Sequence, residues 1–272
     1  QKFSSTFTGS EFFLADHVVQ GKKVLPGVAY LEMARVAVEK ASGILENENK
    51  RILLKNIVWA RPIVMEEHPV TKNSKLKTEN SLIDVHIGLY PEENGEIAYE
   101  IYTLPDSDSG TDEPEAQVHS QGSAQINNKG GELPGLDLKA LKAECKDRIL
   151  DAEECYRIFS RAGFDYGQGH RGLNKIYAGN GKALAKLVLP DSVSDSADQY
   201  VLHPGLMYSA LQASMGLSIG SGTSEEAALP FALEQIQIFD RCTSSMWAYI
   251  RYSEGSSANL KKIDIDLCDD QG

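Results

Sequence analysis

Hydrophobic positions change their period several times along the chain. Residues 3–20 are apolar-rich and end in Asp16-His17, and a tight stretch follows, Gly21-Lys22-Lys23-Val24-Leu25-Pro26-Gly27. From 28 to 41 the pattern is helical: Val28, Leu31, Ala34, Val38 and Ala41 fall on one side, Met33, Val36 and Ala37 widen the stripe, and Gly43 is the expected stop. So wide an apolar stripe predicts a helix wrapped by other elements. Strand patterns dominate next, at 51–59, 81–90, 97–104 and 118–126, with Glu93-Asn94-Gly95-Glu96 as a hairpin turn. Residues 105–115 read as a loop and 127–135 as a linker.

The second half opens with helical patterns at 136–143 and 151–162, the latter stopped by Gly163. Strands follow at 175–178 and 183–189, a second strongly apolar helix at 206–219, and strands again at 232–239, 246–252 and 262–268. The two halves echo one another. Leu25-Pro26-Gly27-Val28-Ala29-Tyr30 opens one apolar helix and His203-Pro204-Gly205-Leu206-Met207-Tyr208 opens the other, each with Tyr four residues after Pro. Set among similar strands, the echo predicts a duplicated α+β unit, each a sheet around a central helix, with halves at 1–130 and 131–272.

Composition narrows the function classes. The 272 residues carry 27 basic and 39 acidic side chains, a net charge of −12, which argues against a nucleic-acid partner because phosphate contacts need clustered Lys and Arg. No apolar run approaches the roughly 20 residues that span a bilayer, and Gln1–Ser10 has no basic segment followed by an apolar one, so neither a membrane segment nor a secretory signal is expected. Four cysteines without a C-x-x-C pair fit free thiols in a reducing cytoplasm. The six histidines lack ligand-like spacing, so no metal is expected, and the nucleotide-loop, zinc-protease and nucleophile-elbow motifs are absent.

What remains is His17-Val18-Val19-Gln20-Gly21-Lys22-Lys23-Val24-Leu25-Pro26, of form H-x-x-x-G-x-x-x-x-P. With Tyr166-Gly167, Leu229-Pro230-Phe231 and His203-Pro204…Gln212 in the same order, it resembles the dehydratase domains of modular polyketide synthases over essentially the whole chain. The resemblance implies an α+β double hotdog, two antiparallel sheets each wrapped around a central helix. It also implies a homodimer working beside neighbouring synthase domains, on acyl chains carried by the phosphopantetheine of an acyl carrier protein, with no other cofactor. His17 would be the base and the Gly27 amide the oxyanion donor, with Pro26, Tyr166, Tyr208 and Gln212 around the substrate; one half would supply His17 and the other Tyr208. The family usually continues with a further strand, so a missing C-terminal segment is expected.

Two departures decide the expected reaction. Dehydratases carry an Asp where this chain has Tyr208, and commonly a Pro where it has Gln168. A phenol is about 6 pKa units weaker than a carboxylic acid, roughly 8 kcal/mol of acid strength, so efficient loss of water is not expected. A His base with an oxyanion site still suits a proton shift between carbons. Members without the Asp are known as enoyl isomerases in trans-acyltransferase synthases, moving an α,β double bond to β,γ. The rivals are an active dehydratase and a non-catalytic docking or structural domain. Other residues have plainer readings: Met207, Leu211 and Met215 in the core, Tyr30 packed in its half, Lys22-Lys23 a solvated turn or a carrier contact. His170 and Arg171 read as surface polarity or a phosphopantetheine contact, and Glu66-Glu67 and Asp269-Asp270 as solvated charges.

Overall fold

The structure, a computed structural model, describes residues 1–44, 50–65, 82–105, 115–128, 135–219, 230–257 and 259–272. Most of the expected loop at 105–115 and linker at 127–135, together with Glu66-Glu67, Ser81 and Leu229, lies outside the described residues. Two compact units emerge, Gln1–Gly131 with Leu229–Phe239, and Glu132–Ala228 with Asp240–Gly272.

The first unit begins with β1 (Lys2–Phe7), the short α1 (Phe12–Ala15), β2 (His17–Val19), β3 (Lys22–Val24) and α2 (Gly27–Ser42). Gly43 ends α2 in the left-handed region at φ 65°, as its position predicts. Then come β4 (Lys50–Trp59), β5 (Val64–Met65), β6 (Ile83–Pro91), β7 (Ile97–Thr103) and β8 (Gln117–Asn128). Strands β1, β6, β7, β8 and β4 form one antiparallel sheet in that order, and α2 packs on β4, β6 and β7. The expected β6–β7 turn is present: Gly95 has φ 83° and its N–H donates to the Glu92 carbonyl at 3.0 Å.

Within β4 the side-chain alternation breaks once. Ile52 and Leu54 are buried, Asn56 adopts φ 53°, and the register against β8 slips between Lys55 and Val58. This bulge moves the inward positions from even to odd numbers, so Ile57 is buried and Trp59 shares its side. Asn tolerates the left-handed conformation the bulge needs. Helix α2 also buries charge: Arg35 grips Glu32 with two N–H···O bonds of 2.8 and 3.0 Å and reaches Glu39 at 3.0 Å.

The second unit contains α3 (Leu138–Glu144), β9 (Arg148–Asp151), α4 (Ala152–Arg161), β10 (Phe164–Tyr166), a 3-10 turn at Gln168–His170, β11 (Leu173–Gly179), β12 (Lys182–Val188), a second 3-10 segment at Asp191–Gln199, α5 (Pro204–Gln212) and α6 (Met215–Ile219). Asp137 and Asp151 cap α3 and α4 by accepting from Ala140 and Glu154 N–H at 2.9 and 2.8 Å. The helix expected over 206–219 is in fact two, divided at Ala213 and Ser214. Past the break Gly216 sits so close to the sheet that a Cβ there would lie 2.8 Å from the Ala183 Cβ.

The chain then enters the first unit as β13 (Ala232–Gln237), antiparallel to β4, before β14 (Ser245–Tyr252) and β15 (Ile263–Cys268) complete the second sheet in the order β15-β14-β12-β11-β9. The units therefore differ from the expected halves at residues 229–239: this strand follows the second helix in sequence but finds its hydrogen-bond partner in the first sheet. The two- and three-residue strands β2, β3, β5 and β10 have too few residues to show a period.

Candidate functional site

In the first unit the candidate chemistry is built on the β2–β3 hairpin. Gln20 and Gly21 both have positive φ (50° and 78°), a two-residue turn that pairs Val18 with Lys23 and Val19 with Lys22. One residue beyond that ladder, His17 Nδ1 lies 2.6 Å from the Val24 carbonyl oxygen. A carbonyl only accepts, so Nδ1 carries the proton and donates, and Nε2 is the basic nitrogen. His17 is buried, and burial lowers its pKa to about 4 against the opposing pull of the Val24 carbonyl. The ring is neutral at pH 7.

From Val24 the chain passes Leu25, whose N–H donates to the Ile63 carbonyl at 2.9 Å, and Pro26, the N-cap of α2. Pro26 has no side-chain group to cap with; its carbonyl accepts from the Ala29 N–H at 2.9 Å, which leaves the Gly27 and Val28 amides to present the positive helix end. Trp59 crosses this helix start. Its indole Nε1 donates to the Gly27 carbonyl at 3.1 Å, and a Cβ at position 27 would meet the ring at 3.2 Å. The sequence marks Gly27 only as an amide donor; that Trp59 requires glycine there is not legible in it, because the bulge at Asn56 decides the side on which Trp59 lies. Tyr30, as expected, is packed in its own unit: its hydroxyl accepts from the Ile63 N–H at 3.1 Å.

In the second unit Tyr166, Tyr208 and Gln212 come together with His170. The hydroxyls of Tyr166 and Tyr208 lie 3.2 Å apart, with rings edge to face at 5.4 Å between centroids. Burial pushes both phenols above their ordinary pKa; the hydrogen bond from Tyr166 pulls that of Tyr208 partly back. His170, expected at the surface, is fully buried, with its ring edge to face on Tyr208 at 5.2 Å. Gln212 is a brace: its Nε2 donates to the His170 carbonyl at 3.1 Å and its Oε1 accepts from the Tyr156 hydroxyl at 3.3 Å. Arg171 donates through Nε to the Tyr166 carbonyl at 2.8 Å, and its guanidinium lies over the Tyr156 ring.

The histidine that precedes Pro204 plays a different part. His203 is the N-cap of α5; its Nδ1 accepts from the Gly205 N–H at 3.2 Å and its Nε2 meets Ser196 Oγ at 3.0 Å. Of the plainer readings, Met207 is buried as expected, whereas Asp270 is more than a solvated charge. It pairs with Lys186 and accepts from Ser245 Oγ and Trp247 Nε1, both at 2.8 Å. Among the described residues no group of three or more His, Cys, Asp or Glu side chains could hold a metal ion, and no helix is long and apolar enough to cross a membrane.

Comparison with known proteins bears on both units. The family model for the polyketide synthase dehydratase domain matches residues 1–104, and that for the polyketide synthase dehydratase N-terminal domain matches residues 134–272. Polyketide synthase PksM of Bacillus subtilis (strain 168) is 44% identical over 278 residues, covering 100% of this chain, which spans only 6% of that protein's length. A solved trans-AT PKS dehydratase domain from Brevibacillus brevis is 48% identical with a TM-score of 0.87, covering 100% of this chain and 89% of that one. The CurK dehydratase is similar at 25% identity and a TM-score of 0.80, over 100% of this chain and 86% of that one. It has been solved as two inactive mutants, one with a histidine replaced by phenylalanine and one with an aspartate replaced by asparagine.

Proposed function

This chain belongs to the dehydratase domains of polyketide synthases and has their α+β double-hotdog fold; from that premise we propose that it is an enoyl isomerase, moving an α,β double bond to β,γ in an acyl thioester. The substrate would hang from the phosphopantetheine of an acyl carrier protein, with other synthase domains as neighbours. The observation that carries the reading is the side chain at 208. Where the family resemblance calls for a carboxylic acid there is a buried phenol, bonded to a second phenol and pushed above its ordinary pKa. Such a group is a poor acid for a departing hydroxide. The inactive aspartate mutant of the CurK dehydratase is consistent with how much depends on a carboxylate in that relative.

His17 still has work to do. Its Nε2 takes a proton from the γ-carbon of the enoyl thioester, giving a dienolate. The Gly27 N–H at the α2 start holds the thioester oxygen as charge develops there. The imidazolium, disfavoured by burial, then returns the proton to the α-carbon, which leaves the double bond at β,γ. No hydroxide leaves, so one base is enough.

The test uses a 2-enoyl pantetheine thioester in D₂O, followed by NMR. The β,γ isomer should form, with deuterium entering only as far as the imidazolium exchanges before it returns its proton, and His17→Ala should abolish the conversion. Isomer formation no faster than in His17→Ala would make the domain non-catalytic, and rapid water loss from the β-hydroxyacyl counterpart would make it a dehydratase. Tyr208→Asp should gain dehydration if the phenol stands in the acid's place.

A further inference from the structure

Resting on that reading of the site, we infer that Tyr156 is a positioning residue for Tyr208, acting through Gln212 and the Gln168–His170 turn. No motif points to it. Tyr156 sits in the middle of α4, yet its single hydroxyl joins four separate pieces of the second unit. The oxygen accepts from the Leu173 N–H at 2.9 Å, at the start of β11. Its one proton is shared between Gln212 Oε1 at 3.3 Å, on the last turn of α5, and the His170 carbonyl at 3.4 Å. Gln212 closes the triangle by donating to the same carbonyl at 3.1 Å. The Tyr156 ring is itself fixed, with the Arg171 guanidinium 5.3 Å from its centroid and Phe159 at 6.2 Å.

The consequence reaches Tyr208 through two side chains of one short segment. His170 presses its ring edge to face on Tyr208 from one side, and Tyr166 meets the phenol through ring and hydroxyl. Both are side chains of residues 166–171, whose carbonyls at 166 and 170 are the ones tied down by Arg171, Gln212 and Tyr156. Fixing those carbonyls fixes the turn, and the turn fixes the Tyr208 ring. A wall residue displaced by a fraction of an ångström costs rate more than affinity, because it spoils the alignment of the reacting carbons.

Tyr156→Phe removes one oxygen and keeps the ring. In the full chain it should fold normally and lower kcat for isomerisation about 3- to 10-fold with KM within about twofold, the scale of one hydrogen bond. In a Tyr208→Ala background the same change should cost less than about twofold, because the ring being positioned is gone. ¹³C-labelled tyrosine spectra of Tyr156→Phe should show shifted Tyr208 and Tyr166 ring resonances. Equal losses in both backgrounds, or unshifted resonances, would overturn the inference and leave Tyr156 a packing residue. The spectra do not depend on turnover, so an inactive parent protein would sink the isomerase reading while the positioning of Tyr208 was still measured.

Discussion

The two helices that open on Pro-Gly share a sequence pattern and have opposite chemistry at their starts. At α5 the neighbouring histidine closes the helix end: His203 Nδ1 accepts from the Gly205 N–H, which requires the proton on Nε2, where Ser196 Oγ receives it and passes its own to the Val193 carbonyl at 2.6 Å. The Gly169 carbonyl lies where any Cβ on Gly205 would be. At α2 the cap is Pro26, which offers no side-chain acceptor, and the histidine arrives from a hairpin instead. His17 spends its Nδ1 proton on the Val24 carbonyl, which leaves basicity on Nε2. The tyrosines diverge too: Tyr30 accepts from a backbone N–H, while Tyr208 pairs with another phenol. A repeated motif has copied the shape of a helix entry and not its function.

The sharpest way to break this comparison is at His17. His17→Ala should lower the isomerisation rate by about 10²- to 10⁴-fold, the range of a positioned general base. The base works only when neutral, so kcat/KM should be flat near neutral pH and fall as pH drops through about 4, where the folded ring takes a proton. Stability has the same direction. The unfolded histidine protonates below about 6.5 and the folded one only near 4, so the folded state is penalised progressively as pH falls through that window. That slope should weaken in His17→Phe. An activity limb centred near 6.5 would mean the working imidazole is not this buried one.

A smaller effect is expected at the paired glycines. Gly27→Ala brings a methyl to 3.2 Å from the Trp59 indole, so the ring or the helix start must yield by a few tenths of an ångström. Isomerisation should fall about tenfold, less than the 10²- to 10³-fold loss when an oxyanion donor is removed outright. The melting temperature should change little, since position 27 opens the helix, where propensity counts for less than in the interior. Trp59→Phe in the same chain should recover part of the rate. Gly205→Ala, by contrast, puts its methyl onto backbone and should damage folding first. If both variants simply melted earlier with unchanged turnover, the two helix starts would be equivalent after all.

How far the sequence foretold this depended on the range of the deciding interaction. The extents of α2, β4, β7 and β8 and the Gly43 and Gly95 stops were legible because each rests on local periodicity or a local φ. His17 is singled out in the sequence by the resemblance of its motif; its bond to Val24, seven residues on, is set by the two-residue turn between them. The pairing of β13 with β4 was not legible, since nothing local to residues 232–237 says which sheet they join. The inward face of Trp59 hinged on one bulged Asn56. His170 looked like a surface residue because its neighbours Gln168 and Arg171 are polar; its burial comes from α5 and Tyr208, more than thirty residues away. Tyr156 was hidden because a helix shows its apolar stripe in sequence but not which hydroxyl meets a distant carbonyl.

The gentlest probe of the comparison is His203. If its role is to cap α5, His203→Ala should cost about 1 kcal/mol, as other N-cap deletions do. That corresponds to a fall in melting temperature of roughly 2–4 °C for a protein near this size. Turnover per folded molecule should stay within about twofold. His203→Asn, whose short side chain can accept from the same amide, should recover most of the stability. The logic runs opposite to that at His17, where no capping side chain can substitute because the needed property is a lone pair facing away from its anchor. A His203 variant that kept its melting temperature but lost isomerisation would place chemistry at both helix starts, and the asymmetry between their tautomers would then need another cause.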